Sequence, residues 1–289
     1  MQLDRRSFLK TTGAAAALTL GGIRCATRQP EAKLPPLGIQ LYTVRDAIAE
    51  DFQGTLTKIA DMGYAGVETY FFPEEITLKQ AGDLLNSLEL PVCAMHTEIP
   101  EGDQKDLILR MAEAYQSDRL VWHGWPQSGL YASMDAMKET VERYNKASQW
   151  AKDNGLKFGM HNHWWEFQQV DGVYPAYYLL ENLNPDIFFE IDVYWTRTAG
   201  QDPAKVVADF GKRAPLLHIK DGKATVGEPV HKQVAVGQGN VDIPAVAEAG
   251  KGSTEWMIVE LDDTEYDIFD MVQQSYTYLT ENGFARGKV

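Results

Sequence analysis

His96, His123, His161, His163 and His218, five of the six histidines in the chain, each close a short apolar run, and Glu68, Glu190, Asp192, Glu260 and Asp262 close others. Scattered polar residues would not concentrate in this way. His161, Asp192, His218 and Glu260 offer two imidazoles and two carboxylates, a set that suits Mn2+ or Zn2+ first and Co2+ or Fe2+ next. A purely hard cation such as Ca2+ prefers oxygen ligands alone. Any one of these histidines, taken singly, reads as a hydrogen-bonded core residue, and the whole set could form a buried ion-pair network. Their convergence at the ends of successive runs favours a bound divalent cation.

The elements that must position these residues alternate. Apolar runs are read at 37–42, 65–69, 92–96, 120–123, 156–161, 187–192, 216–219 and 257–260. Amphipathic stretches follow near 52–62, 77–88, 103–115, 133–153, from Pro175, and near 265–279. Short apolar strands alternating with helices predict a parallel sheet wrapped by helices. Eight such units in the length available match the roughly 250 residues of a (β/α)8 barrel, which gathers its chemistry where the loops after the strands converge. The fold expected is therefore a single-domain α/β TIM barrel over residues 31–289. An open doubly wound sheet is the runner-up, but the first strand-to-helix turn lacks a G-x-G-x-x-G fingerprint, which disfavours a dinucleotide site.

Composition narrows the class. With 289 residues, 44% hydrophobic and 24% charged, the chain is long enough for a sizeable core and unlike disordered or multi-span membrane chains. Two cysteines, Cys25 and Cys93, exclude a disulfide framework. A net charge of −14 repels phosphate backbones, so nucleic acid is not an expected partner.

Residues 1–30 read as a targeting segment and linker. Asp4-Arg5-Arg6-Ser7-Phe8-Leu9-Lys10 precedes an apolar run, 11–23, too short to span a bilayer comfortably. This resembles a twin-arginine export signal, with Asp4 where such signals usually carry Ser or Thr. The resemblance implies a periplasmic protein exported after folding, and no integral span is expected in the mature chain. Lipid anchoring through Cys25 is a minor alternative, because Arg24 fits a lipoprotein cleavage site badly. Removing the segment takes away five basic residues and one acidic one, which moves the charge from −14 to −18.

The stretches 38–45 (Gly-Ile-Gln-Leu-Tyr-Thr-Val-Arg), 161–167 (His-Asn-His-Trp-Trp-Glu-Phe), 217–221 (Leu-His-Ile-Lys-Asp) and Val259-Glu260 resemble the xylose isomerase-like barrels known as sugar phosphate isomerases/epimerases. In that family Glu, Asp, His and Glu from strands five to eight typically hold a divalent metal. The resemblance carries over to Asp192, His218 and Glu260. At the first position this chain has His161, and His163 or Glu166 could serve instead. Family epimerases use the two metal-binding glutamates as a pair of bases, so the missing one points to a one-base scheme, as in dehydratase and keto-sugar lyase members.

The chemistry expected is removal of the proton beside a carbonyl, through an enediolate, with isomerisation, epimerisation or elimination as the outcome. Glu260 or His163 is the candidate base. Lys220 would steady the developing oxyanion, or else be a structural ion-pair partner of Asp221 or Glu190. Tyr42, Glu68, His96, His123 and Glu166 are the candidate polar substrate contacts. Trp122, Trp165 and Trp195, with Trp125 and Trp164, could stack on a sugar ring or merely pack loops, whereas Trp150 sits in a helix. No Gly-rich phosphate cradle is evident, so an unphosphorylated sugar or keto-glycoside is the expected small-molecule partner. A carbohydrate-binding protein without turnover and a metal-dependent hydrolase or endonuclease of the same superfamily are the alternatives. Look-alikes are often dimers or tetramers, and nothing in the sequence chooses a homo-oligomer.

Overall fold

The structure, a computed structural model, describes residues 33–125, 129–228 and 232–289. The export signal and Cys25 lie outside them. Strands β1 (Leu37–Gln40), β2 (Gly66–Thr69), β3 (Val92–Thr97), β4 (Arg119–Trp122), β5 (Lys157–His161), β6 (Phe188–Asp192) and β7 (Leu216–Ile219) lie side by side in chain order, and β10 (Trp256–Val259) closes the ring between β7 and β1. All eight pairings are parallel. The expected closed barrel is thus observed, and the open sheet is not. Between β7 and β10 a two-residue antiparallel ladder joins β8 (Asp221–Gly222) to β9 (Gln233–Val234).

The helices are α1 (Arg45–Glu50), α2 (Phe52–Asp61), α3 (Leu78–Ser87), α4 (Gln104–Tyr115), α5 (Met134–Asp153), α6 (Pro175–Asn182), α7 (Val193–Thr198), α8 (Pro203–Phe210), α9 (Ile243–Ala249) and α10 (Ile268–Glu281). Their starts follow from local chemistry. Thr77 caps α3 in a reciprocal capping box with Gln80, Ser133 caps α5, and Asp202 and Asp267 each accept two backbone N–H groups at the starts of α8 and α10. Proline occupies the first turn of α6, α8 and α9, where its missing N–H costs nothing.

Because side chains alternate along a strand, each barrel strand serves two cores. Ile39, Val67, Met95, Leu120, Phe189, Ile191, Leu217 and Val259 join the large cluster shared with the helices. A separate small cluster of Ala94, Val121, Phe188, Leu216 and Ile258, with Trp256 against it, plugs the barrel. Glycines make room for that plug. A Cβ on Gly159 would meet the Phe188 ring at 2.3 Å, and one on Gly66 would meet Trp256 at 2.8 Å and Pro91 O at 2.6 Å. Above the plug the interior becomes polar, and the candidate site begins there.

Candidate active site

The polar interior is built in two tiers, because the strand period of two places Glu190 below Asp192 on β6 and His218 on β7 directly beside Asp192 in register. In the lower tier Gln40 Nε2 donates to Glu68 Oε2 at 2.9 Å, and His218 Nε2 lies 2.6 Å from the same oxygen. His96 Nε2 lies 2.8 Å from Glu190 Oε2. These atoms are satisfied by one another. Burial, together with the neighbouring Glu190, pushes the Glu68 carboxyl up to about 7, and burial pushes Glu190 up to about 7.

The upper tier is different. His161, Asp192, His218 and Glu260, all buried, each bring one ligating atom to within 4.8 Å of the others. His161 Nε2 stands 3.5 Å and His218 Nδ1 4.0 Å from Asp192 Oδ2, and His218 Nδ1 stands 2.8 Å from Glu260 Oε2. None of these four atoms makes a hydrogen bond of good geometry, although Asp192 Oδ2 and Glu260 Oε2 stand within ion-pair distance of Lys220 and Glu260 Oε2 also of His218. Buried polar atoms are ordinarily hydrogen-bonded, so two imidazole nitrogens and two carboxylate oxygens converging on one point without such bonds fit a divalent cation, whose bonds to nitrogen and oxygen run about 2.0–2.2 Å for zinc. The lower tier also groups two glutamates and two histidines, but its imidazole Nε2 and carboxylate Oε2 atoms already hydrogen-bond to one another, leaving Glu68 Oε1 and Glu190 Oε1 without a partner. On that contrast the upper tier is the better candidate for a cation.

Local structure aims these side chains. Asp192 is the N-cap of α7, its Oδ1 accepting Trp195 N–H at 2.8 Å, which leaves Oδ2 to face the site. Asn162 ties β5 to β6 by accepting Asp192 N–H at 3.0 Å. His218 is held from below through Nε2, so Nδ1 faces Asp192 and Glu260. Burial opposes charge on this imidazole, but Glu190, Glu260 and Glu68 more than offset it and hold its pKa well above the ordinary histidine range.

Lys220 is fully buried, with Nζ 3.1 Å from Asp192, 2.9 Å from Glu260 and 2.5 Å from Asp262, and 4.8 Å above the Trp195 ring. Burial works against its charge, but these three carboxylates keep its pKa well above the lysine norm. In return Lys220 and His218 overcome burial and hold Glu260 well below the carboxylate norm. The alternative partners expected for Lys220, Asp221 and Glu190, are not the ones it meets. The Asp221 carboxylate instead accepts backbone N–H groups of Gly222, Gly237, Gly239 and Val241, which shapes the loop from β8 to α9. From that loop Gln233 accepts Asp262 N–H at 2.6 Å and donates to its Oδ2 at 3.1 Å. Gln233 is thus a support that the sequence did not single out, and Asp262, read from the sequence only as one of the strand-end carboxylates, proves to be a direct partner of Lys220.

The mouth is a cavity of about 540 Å3 lined by Tyr42, Tyr70, Phe71, His96, His123, Trp125, His161, His163, Trp164, Trp195, Glu260 and Asp262. Of the expected substrate contacts, Tyr42, His96, His123 and Trp195 line it. Four do not. Glu68 lies in the lower tier, fixed by Gln40 and His218. Glu166 is buried in a 3-10 turn, its Oε2 accepting His163 N–H at 2.8 Å, and burial pushes it up to about 8. Trp122 is buried beside His123, and Trp165 stacks behind His163 at 4.3 Å and 16°. These four support the walls, because their side chains are consumed by packing or hydrogen bonds before they reach the mouth. Trp150 packs against the core from α5. His163 faces the cavity as a neutral ring, since burial and then His161 keep its pKa well below the histidine norm.

A closed parallel barrel with a converging polar site at the carboxyl ends of its strands defines a class of barrel proteins. Within it, the chain belongs to the xylose isomerase-like TIM barrel family, which it matches over residues 56–281. Residues 2–22 match the signal sequence of the twin-arginine translocation pathway. No curated protein matches the chain. A sugar phosphate isomerase/epimerase from Parabacteroides distasonis superposes with a TM-score of 0.73 at 22% identity, covering 90% of this chain and 98% of its own. A D-allulose 3-epimerase from Methylomonas sp. gives 0.61 at 17% identity, covering 86% and 98%. A probable 3-DHS dehydratase from Bacillus anthracis gives 0.66 at 12% identity, covering 85% and 98%. At these identities the likeness is one of fold. No described helix is long and apolar enough to cross a membrane.

Proposed function

We propose that this protein is a divalent-metal-dependent enzyme that removes a proton beside the carbonyl of an unphosphorylated sugar or keto-glycoside. The observation that carries the reading is the convergence of four buried ligand-type atoms from His161, Asp192, His218 and Glu260, none of which makes a hydrogen bond of good geometry. These residues would hold the ion, with His161 in the place of the family's first glutamate. When bound, such an ion polarises a carbonyl and makes the adjacent C–H more acidic. The fold neighbours described as an epimerase and a probable dehydratase support chemistry of this kind.

The chain's own residues supply the rest. Glu260 is ionised and shared between Lys220 and His218, which suits a ligand better than a base. His163 lines the cavity as a neutral imidazole that no carboxylate engages, and it takes the proton in this scheme. Return of a proton to carbon gives isomerisation or epimerisation. If a substituent on the next carbon departs with its bonding electrons, the electron pair left by the proton becomes the new double bond and the result is elimination. Lys220 keeps the site's carboxylates in place and contributes positive charge beside the developing oxyanion. No Lys or Arg is among the described residues lining the cavity, which supports an unphosphorylated substrate.

The test is elemental analysis of the purified protein, then deuterium exchange beside the carbonyl of free ketoses and 3-keto-glycosides. About one equivalent of metal and exchange that falls at least about tenfold in His163→Asn, a barrier change of roughly 1.4 kcal/mol, are expected. Absence of metal, or exchange unaffected by loss of His163, argues against the scheme.

A further inference from the structure

The cavity has two chemically different halves. His161, His96, Glu260 and Asp262 make the inner half polar, while Tyr42, Tyr70, Phe71, Trp125 and Trp164 make the outer half aromatic. The outer rings lean on one another or on inner residues edge-on or tilted: Tyr42 on Tyr70 at 5.7 Å, Phe71 on His123 at 5.8 Å, and Trp125 on Trp164 at 6.5 Å. Three of them remain open to solvent, Trp125 at 55%, Phe71 at 44% and Tyr42 at 39%. Aromatic surface held open around one mouth is a free-energy reserve that a ligand covering it would release. One sugar ring placed against the inner half leaves this outer wall uncovered.

The wall's chemistry chooses what covers it. A second sugar brings several hydroxyls, each of which loses water on entry and needs a partner, yet among the described residues the outer half offers few polar atoms beyond the tyrosine hydroxyls. No Lys or Arg is among the described lining residues, and the guanidinium nearest them, Arg45, lies 4.1 Å over the Tyr42 ring and donates to the backbone carbonyls of Tyr42 and Asp262. A planar apolar ring asks for no hydrogen bond and gains offset or edge-on contacts with Trp125 and Phe71. We propose that the outer half is an aglycone subsite for an aromatic ring, so that the preferred ligand is an aryl glycoside. This inference rests on the reading above for what the inner half does and adds the identity of the group attached to the sugar.

Calorimetric titration of the full metal-loaded protein with phenyl glucosides of both anomeric forms and their 3-keto derivatives, the corresponding methyl glucosides, and cellobiose tests it. At least one phenyl glycoside is expected to bind about tenfold or more tighter than its methyl counterpart and than cellobiose. Trp125→Ala and Phe71→Ala should each shrink that advantage while leaving the metal content unchanged. Phenyl and methyl glycosides of equal affinity, cellobiose binding as tightly as phenyl, no phenyl glycoside binding, or an advantage that survives both substitutions overturns the subsite. The two readings fail separately: absence of metal and of deuterium exchange removes the proposed reaction, whereas intact exchange without a phenyl preference removes only the subsite.

Discussion

His218 is the residue on which the two tiers turn. Its Nε2 sits 2.6 Å from Glu68 and 3.2 Å from Glu190, while its Nδ1 faces Glu260 and Asp192. A histidine that ligates through one nitrogen is oriented by the partner of the other, and loss of such a partner typically costs about 10–100-fold in metal affinity. Glu68 is that partner, itself aimed by Gln40. Glu68→Gln, which keeps an acceptor but removes the negative charge, is expected to weaken the proposed metal binding about tenfold, and Glu68→Ala to weaken it further within the range of about 10–100-fold. Competition against a chromophoric chelator measures this, with far-UV circular dichroism as the check that the barrel stays folded. Unchanged affinity in both variants would mean that His218 needs no support from below. The position of Glu68 also shows what strand-end reasoning misses. A residue at the end of a predicted strand can face the mouth or lie one tier down, and the depth is set by strand length and stagger, which a single sequence does not display.

At the scale of elements, the interior rests on glycines whose missing side chains let Phe188 and Trp256 fill the barrel. Gly159→Ala would drive a methyl group into the Phe188 ring, with contacts at 2.3–2.5 Å. Overpacking of this kind costs about 1–3 kcal/mol, read as a lowered denaturation midpoint, and Phe188→Leu in the same chain is expected to recover part of it. A midpoint unchanged by Gly159→Ala would mean that the plug yields freely. The strands and most helices were legible because apolar runs alternate with capped amphipathic stretches, as with Thr77 before α3, Ser133 before α5 and Pro175 opening α6. The crossover between β6 and β7 was not. Val193-Tyr194-Trp195 favours strand by propensity, and it forms α7 because Asp192 caps it and fixes the turn at that point. The Asp202-Pro203 pair carries a start signal for α8, but no amphipathic stretch is read between the runs at 187–192 and 216–219. The β8–β9 ladder left even less trace, since its shape comes from the Asp221 carboxylate gathering N–H groups up to twenty residues away.

The whole molecule sets an order of events. The proposed cation ligands come from positions 161, 192, 218 and 260 on or just after four neighbouring strands, so the site exists only once β5, β6, β7 and β10 have paired side by side. A chain exported unfolded would have to find the proposed metal outside the cell. The twin-arginine route carries chains that are already folded, and the match over residues 2–22 therefore fits a protein loaded with metal before export. Two variants separate the possibilities. Replacing Arg5 and Arg6 by lysine is expected to keep the protein in the cytoplasm, folded and with the same metal content as the native chain, as measured by cell fractionation and elemental analysis. Replacing residues 1–30 by a signal for unfolded export should deliver a barrel to the exported fraction whose metal content follows the external medium. Export that persists in the double lysine variant would show that the paired arginines do not direct it, and identical metal content by both routes would show that loading does not depend on where the barrel closes.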